Sequence, residues 1–310
     1  MAAKKGKLQI WSEYIAARLL VGLLGSLPRR TAVAAGKAAG RIAYRFLKDL
    51  RKTGLINLRL AFPEKTEDER ERILKASFEN LGRILGEVSA FPSATPAKLE
   101  KLVDFTLDEE SRRLYHRVKQ EKKGVLIVTG HLGNWEMLVF AFAALHEPIS
   151  YLARPLDNPL LEDFTARLRS RFGNRPLNKS GSAMTAVKLL RSGEILGVLA
   201  DINAHPKEGV FVDYFGIPAC TSAGPAMMAL RTGAIVYPAF CIYDGLNGLY
   251  RLVHGQIIEY RPTGDREEDV RRLTALYTAE IEKIVRRYPE QWLWIHKRWK
   301  TRPPGEKSLY

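Results

Sequence analysis

Cysteine is almost absent from the 310 residues: only Cys220 and Cys241 occur. Two thiols exclude a disulfide framework and are too few for a thiolate metal cluster. Acidic residues are also in deficit, 34 Asp and Glu against 49 Lys and Arg, for a net charge of +15. That surplus calls for an anionic partner: nucleic acid, an acidic protein, a phosphorylated substrate or an anionic membrane. No HExxH motif is present, and His116, His146, His205, His254 and His296 show no ligand spacing, so no metal is expected. GxSxG and Walker A motifs are missing too, which sets aside serine-hydrolase and P-loop chemistry. Nucleic-acid binding would need a helix-turn-helix, RRM or similar module, and none is found.

What is there begins with a hydrophobic content of 46%, enough for a substantial core. The basic charge is concentrated at the two ends. Residues 1 to 50 carry ten Lys or Arg against Glu13 and Asp49, and the stretch from Arg286 to Arg302 carries six against Glu290. The basic start "MAAKKGK" precedes "YIAARLLVGLLGSLP", residues 14 to 28. As a helix that segment reaches roughly 22 Å, short of the ~30 Å hydrocarbon core of a bilayer. Arg18 lies inside it, and no small-residue cleavage site marks it as a signal peptide. A helix lying in the membrane interface, with Trp11 and the lysines at headgroup level, is the favoured reading; spanning or core helices are the alternatives.

From residue 124 onward the pattern changes. Short apolar runs at 124–129, 148–152, 194–200, 208–213, 234–242 and 250–259 read as strands. Helical patterns at about 134–145, 159–172, 182–192, 222–231 and 266–288 alternate with them. Such alternation predicts an α/β fold with a central, mostly parallel sheet covered by helices. Upstream, residues 66–88 read as an amphipathic helix with Thr66 as its N-cap, and 106–122 as another. Two units are expected: a membrane-associating helix in 1–30 and an α/β domain in 31–310.

The first of these strands leads into "TGHLGNWE" at 129–136. His131 sits in the turn leaving the strand's C-terminal end, where open α/β sheets place their ligands. Five positions along one continuous helix would separate His131 and Glu136 by roughly 140°. With His131 in the preceding loop, its ring can fold over the first helical turn and meet the Glu136 carboxylate. A histidine oriented by a carboxylate is a general base suited to a hydroxyl proton. Gly133 keeps the turn free of bulk, and backbone N–H groups at the helix start near Asn134 could face a phosphate or a developing oxyanion. The alternative is a loop histidine beside a glutamate that merely complements a helix dipole. Cys220, ahead of a helix at "TSAGP", has no base nearby in sequence to make it a nucleophile.

Taken with "TGHLGNWE", four further blocks carry a family resemblance: "YLARPLDNPLLEDF" at 151–164, "LADIN" at 199–203, "FVDYFGIPACTSAGPAMMALRTGAIVYPAF" at 211–240 and "YPEQWLWIHKRWKTRPPG" at 288–305. In this order they resemble the late acyltransferases of lipid A biosynthesis, within the glycerolipid and lysophospholipid acyltransferase superfamily. The resemblance implies a glycerolipid acyltransferase-like fold at the cytoplasmic face of the bacterial inner membrane. It implies an enzyme moving an acyl chain from an acyl carrier protein or coenzyme A thioester to a lipid hydroxyl. His131 and Glu136 are the implied catalytic pair, and Arg154 an acceptor-binding arginine; Gly133, Asn134 and Asp201 complete the candidate substrate-binding set. Arg154 could equally be a surface ion pair with Asp157 or Glu162, and Asp201 could position Arg154 or another site group, or cap a turn. Relatives often carry a glutamine after this aspartate, where Ile202 stands here. In "EQWLWIHKRWKTR", Trp292, Ile295 and Trp299 share one face if the segment is helical, which suits either a headgroup-level surface or core packing. Lysophospholipid, mannoside or amino-acid lipid acceptors use the same chemistry, and no cofactor is expected.

Overall fold

The computed structural model describes residues 6–178 and 181–310; Lys4 and Lys5 of the basic start lie outside them. Four helices lead the chain: α1 (Lys7–Ser26), α2 (Arg29–Phe46), α3 (Lys48–Ala61) and α4 (Glu67–Val88). There follow α5 (Pro96–Glu100), β1 (Val103–Asp104), α6 (Glu109–Glu121), β2 (Val125–Thr129), α7 (Trp135–Leu145), β3 (Ser150–Ala153) and α8 (Pro159–Arg169). Then come β4 (Arg175–Asn178), α9 (Ala183–Arg191), β5 (Ile195–Leu199), β6 (Gly209–Tyr214), β7 (Ile217–Ser222), α10 (Gly224–Thr232), β8 (Ile235–Asp244), β9 (Leu249–His254) and α11 (Arg266–Arg287).

Among the described residues, seven strands form one sheet in the order β1-β9-β8-β2-β5-β3-β4. All neighbours in it run parallel except β8 and β9. The mostly parallel α/β architecture expected from the strand–helix alternation is present. Alternate residues of the central strands serve opposite layers. Val125 and Ile127 pack with Met137 and Phe140 of α7. Leu126 and Val128 pack with helices α9, α10 and α11 on the other side. Being buried on both faces is why these strands read as continuous apolar runs rather than alternating ones.

Three strands escaped the sequence reading: the two-residue β1, β4 and β7. β4 is a largely exposed edge strand containing Pro176, so it carries no apolar run. β7 pairs with β6 as a separate hairpin. Its turn places Phe215 at φ 58° and Gly216 at φ 75°, as a tight primed turn requires. The Phe215 ring is buried against Phe62 and Trp294, which holds an otherwise unfavourable conformation. Because β7 runs through Ser222, neither Thr221 nor Ser222 caps α10.

The leading helices wrap one side of the domain. Thr66 caps α4 as anticipated, in a reciprocal box with Glu69. α2 meets α4 backbone to backbone: a Cβ on Gly36 would lie 2.1 Å from the Gly82 carbonyl oxygen, so no larger residue fits that crossing. α1 docks on α8 through an edge-to-face contact of Tyr14 with Phe164, and Asn158 Nδ2 donates to the Ile10 carbonyl. Its other side leaves Leu8, Trp11, Ile15, Leu19 and Leu23 exposed at three- and four-residue spacing. Ile42 and Phe46 in the last turns of α2, and Leu47 just after it, are exposed as well. Among the described residues no helix is long and apolar enough to cross a membrane.

The C-terminal segment departs from the helical expectation. A short 3-10 turn at Pro289–Gln291 is followed by irregular chain, not by a helix through Trp299. Trp292, Trp294 and Trp299 are all buried in the core. Arg298 is buried as well, with its guanidinium donating to the Cys220 carbonyl and the Thr221 hydroxyl. These residues are core packing rather than a surface at headgroup level.

Candidate active site

Parallel register brings the site together. Thr129 and Leu199 are partners at the C-terminal ends of β2 and β5. Continuing each chain by two residues places His131 beside Asp201, although 70 positions separate them in sequence. Their contact is direct. His131 Nδ1 lies 2.8 Å from Asp201 Oδ1, and the His131 backbone N–H donates to Asp201 Oδ2 at 2.7 Å. The Trp292 indole N–H donates to the same Oδ2 at 2.8 Å.

Asp201 is fully buried. Burial by itself would push its carboxyl up, but the His131 ring, the Trp292 indole and the His131 amide outweigh that and hold it below the usual range. It is therefore ionised and can only accept, so Nδ1 carries the proton and the Nε2 lone pair is left for a substrate. The same balance acts on the ring. Burial lowers the His131 pKa, while the charge and hydrogen bond of Asp201, with the charge of Glu136, outweigh it and leave it raised.

The expectation that Glu136 holds the His131 ring is corrected here: the carboxylate at Nδ1 is that of Asp201. Glu136, in the first turn of α7, instead forms a bidentate pair with Arg169 at the end of α8, with Nε donating at 2.8 Å. Nor does Asp201 position Arg154, since its oxygens are engaged by His131 and Trp292. Arg154 follows β3 at the cavity rim, with its side chain 80% exposed and 3.3 Å from Asp157. The surface pair foreseen as its alternative role is formed.

Gly133 and Asn134 prove to shape the turn. Gly133 has φ 66°, and a Cβ there would sit 2.0 Å from the Cys241 carbonyl oxygen. Its N–H donates to the Gln291 carbonyl, and that of Asn134 donates to the Cys241 carbonyl. Asn134 is buried and caps α7 by accepting from the Met137 N–H. With both amides engaged by protein carbonyls, neither serves a reacting oxygen, and neither residue lines the cavity. The turn is braced further by Asn80 of α4, which donates to the Gly133 carbonyl, and by the Leu293 N–H, which donates to the His131 carbonyl. Cys220 is buried in β7, where burial pushes its thiol up, the opposite of what activates a thiolate.

Beside His131 opens a cavity of about 450 Å³ beneath α7. Trp135, Glu136 and Arg169 line its polar mouth, while Leu138, Phe142, Tyr151 and Tyr237 line its apolar depth. From Trp135 to Phe142 the wall spans roughly 10 Å of helix. A polar side carrying an oriented base and an apolar lining beside it suit a substrate with a reactive head and a hydrocarbon tail. Among the described residues no group of His, Cys, Asp or Glu is placed to hold a metal ion.

Trp292 and Arg169 are site residues that sequence reasoning missed. The one signal for Trp292 is its place in the last of the five motif blocks; Arg169 has none, because its pairing with Glu136 is set by the packing of α8 beside α7. Comparison with known proteins agrees with those blocks. Residues 2–301 match the model of the bacterial lipid A biosynthesis acyltransferase family. The chain is 30% identical to a lipid A biosynthesis lauroyltransferase of Escherichia coli over 295 residues, 93% of this chain and 91% of that protein. It is 29% identical to a palmitoleoyltransferase of lipid A biosynthesis from the same organism, over 89% of this chain and 87% of that protein. For a myristoyltransferase of the same process the identity is 26%, over 97% of this chain and 90% of that protein.

Proposed function

The chain belongs to the bacterial lipid A biosynthesis acyltransferase family, and from that premise we propose that His131 is the general base of an acyl transfer from a carrier thioester to a hydroxyl of a lipid A precursor. The observation that carries the reading is the His131–Asp201 hydrogen bond at the mouth of an apolar cavity. Nε2 takes the proton of the acceptor hydroxyl as its oxygen attacks the thioester carbonyl carbon. The tetrahedral intermediate collapses with cleavage of the C–S bond, and the departing thiolate takes the proton back from Nε2. An ester and a free thiol result. No covalent acyl-enzyme is required, because the thioester is already activated. Asp201 keeps the ring in the productive tautomer and stabilises the imidazolium. Glu136 adds a second negative charge near the ring and holds Arg169 at the cavity mouth, and Arg154 is positioned to meet an anionic group of the acceptor. The donor's acyl chain lies in the slot beneath α7. Its carrier is an acyl carrier protein or coenzyme A, both acidic enough to suit a chain of net charge +15.

The exposed face of α1 rests in the bilayer interface on the cytoplasmic side, where such thioesters are found. Replacing Leu19 and Leu23 by Glu should abolish flotation with vesicles of mixed zwitterionic and anionic phospholipid while leaving the melting temperature unchanged. Undiminished flotation of the doubly substituted protein would refute that contact. The reaction itself is tested by offering the purified protein acyl-carrier-protein and coenzyme A thioesters with a panel of lipid acceptors and reading products by mass spectrometry. Esterified lipid A precursor is the expected product. Transfer only to lysophospholipid or to another glycolipid would overturn the assigned acceptor.

A further inference from the structure

A second cavity, of about 700 Å³, lies on the opposite face of the sheet. Its walls come from Met184 and Val187 of α9, Met227 and Met228 of α10, and Val270 of α11, with Arg231 and Arg266 exposed at its rim. Met184 and Met227 are large apolar side chains open to solvent, at 55% and 42% exposure. Methionine walls adapt to flexible apolar guests rather than to one rigid shape. This cavity is not isolated from the first. Leu152, Val198 and Leu199, at the C-terminal ends of β3 and β5, border both. Leu152 and Val198 are register partners, so the two cavities approach each other across the sheet, three residues before Asp201.

The proposed reaction needs such a pair. Both reactants carry hydrocarbon, and both must bring a polar atom to the same Nε2. One slot cannot hold two chains whose reacting ends meet head to head. We propose that the cavity between α9, α10 and the start of α11 seats the hydrocarbon of the lipid acceptor, and that acceptor and donor chains enter from opposite faces of the sheet and meet at its C-terminal edge beside His131. This inference rests on the assignment of His131 as the base. A helical protein partner would also fit a methionine-lined groove, but nothing in its docking would require the groove to reach the reacting edge. The two rim arginines suit the anionic headgroup of a lipid A precursor.

Photolabelling of the full-length protein separates the two seats. A lipid A precursor with a diazirine in one acyl chain should label the peptides covering residues 183–191 and 224–232. An acyl thioester with a diazirine in its chain should instead label residues 138–142 of α7. Kinetics of Met184→Trp and Met227→Trp, both at exposed positions, provide the second measurement. Each should raise the KM for the acceptor by about tenfold, the low end of what filling an apolar pocket discriminates. The KM for the donor and the melting temperature should stay at the wild-type values. Acceptor labelling confined to α7, or an unchanged acceptor KM in both variants, overturns the acceptor seat while the wild type still transfers acyl groups. Failure of the wild type to acylate the precursor overturns the reaction, and the seat falls with it.

Discussion

Two carboxylates stand near the His131 ring, and the molecule holds them in different ways. Asp201 is fully buried and takes two hydrogen bonds from His131 and one from Trp292. Glu136 is partly exposed at the cavity mouth, and both its oxygens go to Arg169. The first arrangement fixes one ring in one tautomer; the second forms a wall whose net charge is close to zero. A buried anion with a full set of donors is an orienting group, whereas an anion neutralised by a guanidinium acts on the ring mainly through space. Proximity in sequence favours Glu136 as the partner of His131, and the direct hydrogen bond belongs to Asp201.

The largest test of this contrast removes the base itself. His131→Asn retains a donor near the Nδ1 position for Asp201 but has no group able to take a proton. Turnover should fall by about 10²-fold or more, in line with general-base contributions, with little change in melting temperature. His131→Ala should lose the same activity and also stability, because it leaves Asp201 buried without its ring partner. A well-folded His131→Asn protein with normal turnover would end the mechanism.

Asp201→Asn comes next. It should lose turnover to within about tenfold of the His131 variants, since the two residues act as a unit. Its pH profile carries the sharper information. A general base works when deprotonated, so activity rises as pH passes through the His131 pKa, which Asp201 and Glu136 hold above the ordinary value of about 6.5. Removing the Asp201 charge should therefore move the acid limb of kcat to lower pH. A limb that stays in place would show that Asp201 does not act on the ring.

Glu136→Gln should do less to the ring and more to the fold near the cavity mouth. Its charge no longer offsets Arg169, and the cost of leaving that guanidinium partly buried is on the order of 1–3 kcal/mol. Turnover should drop by about tenfold, with a small displacement of the acid limb in the same direction as in Asp201→Asn. A larger effect on the limb than that of Asp201→Asn would reverse the ranking of the two carboxylates. The smallest effect is expected at Arg154, which is mostly exposed and pairs with Asp157. Arg154→Ala should raise the acceptor KM a few-fold, Arg154→Lys less, and neither should alter the donor KM. Equal effects with phosphorylated and dephosphorylated acceptors would remove it from anion binding.

Local patterns were sufficient for much of this molecule. The apolar runs of β2, β5 and β8, the capped amphipathic α4 and the placement of His131 just past a strand end all follow from periodicities of two and 3.6 and from turn chemistry. The exposed stripe of α1 is equally local. Where the reading failed, the missing information was nonlocal or the local signal was shared between two outcomes. β4 and β7 lack the continuous apolar run that marks a doubly covered strand. In the C-terminal segment, Trp292 and Trp299 have helical spacing, yet the chain is bound instead by an isolated bridge from Trp292 to Leu132, in which the Leu293 N–H donates to the His131 carbonyl and the Gln291 carbonyl accepts from the Gly133 N–H.

The sequence by itself determined the alternation of strands and helices, the turn in which His131 stands and the five blocks by which the family is identified. Only the tertiary structure decided which carboxylate meets the ring. That choice depends on β2 and β5 pairing in parallel with Thr129 opposite Leu199, so that equal continuations of two strands end side by side. It depends as well on a C-terminal segment 91 positions beyond Asp201 folding back to supply the Trp292 indole. Neither register nor return path is written in any local window. Both are set by burying the whole sheet at once, and a hydrogen bond between buried groups forms where that packing places them.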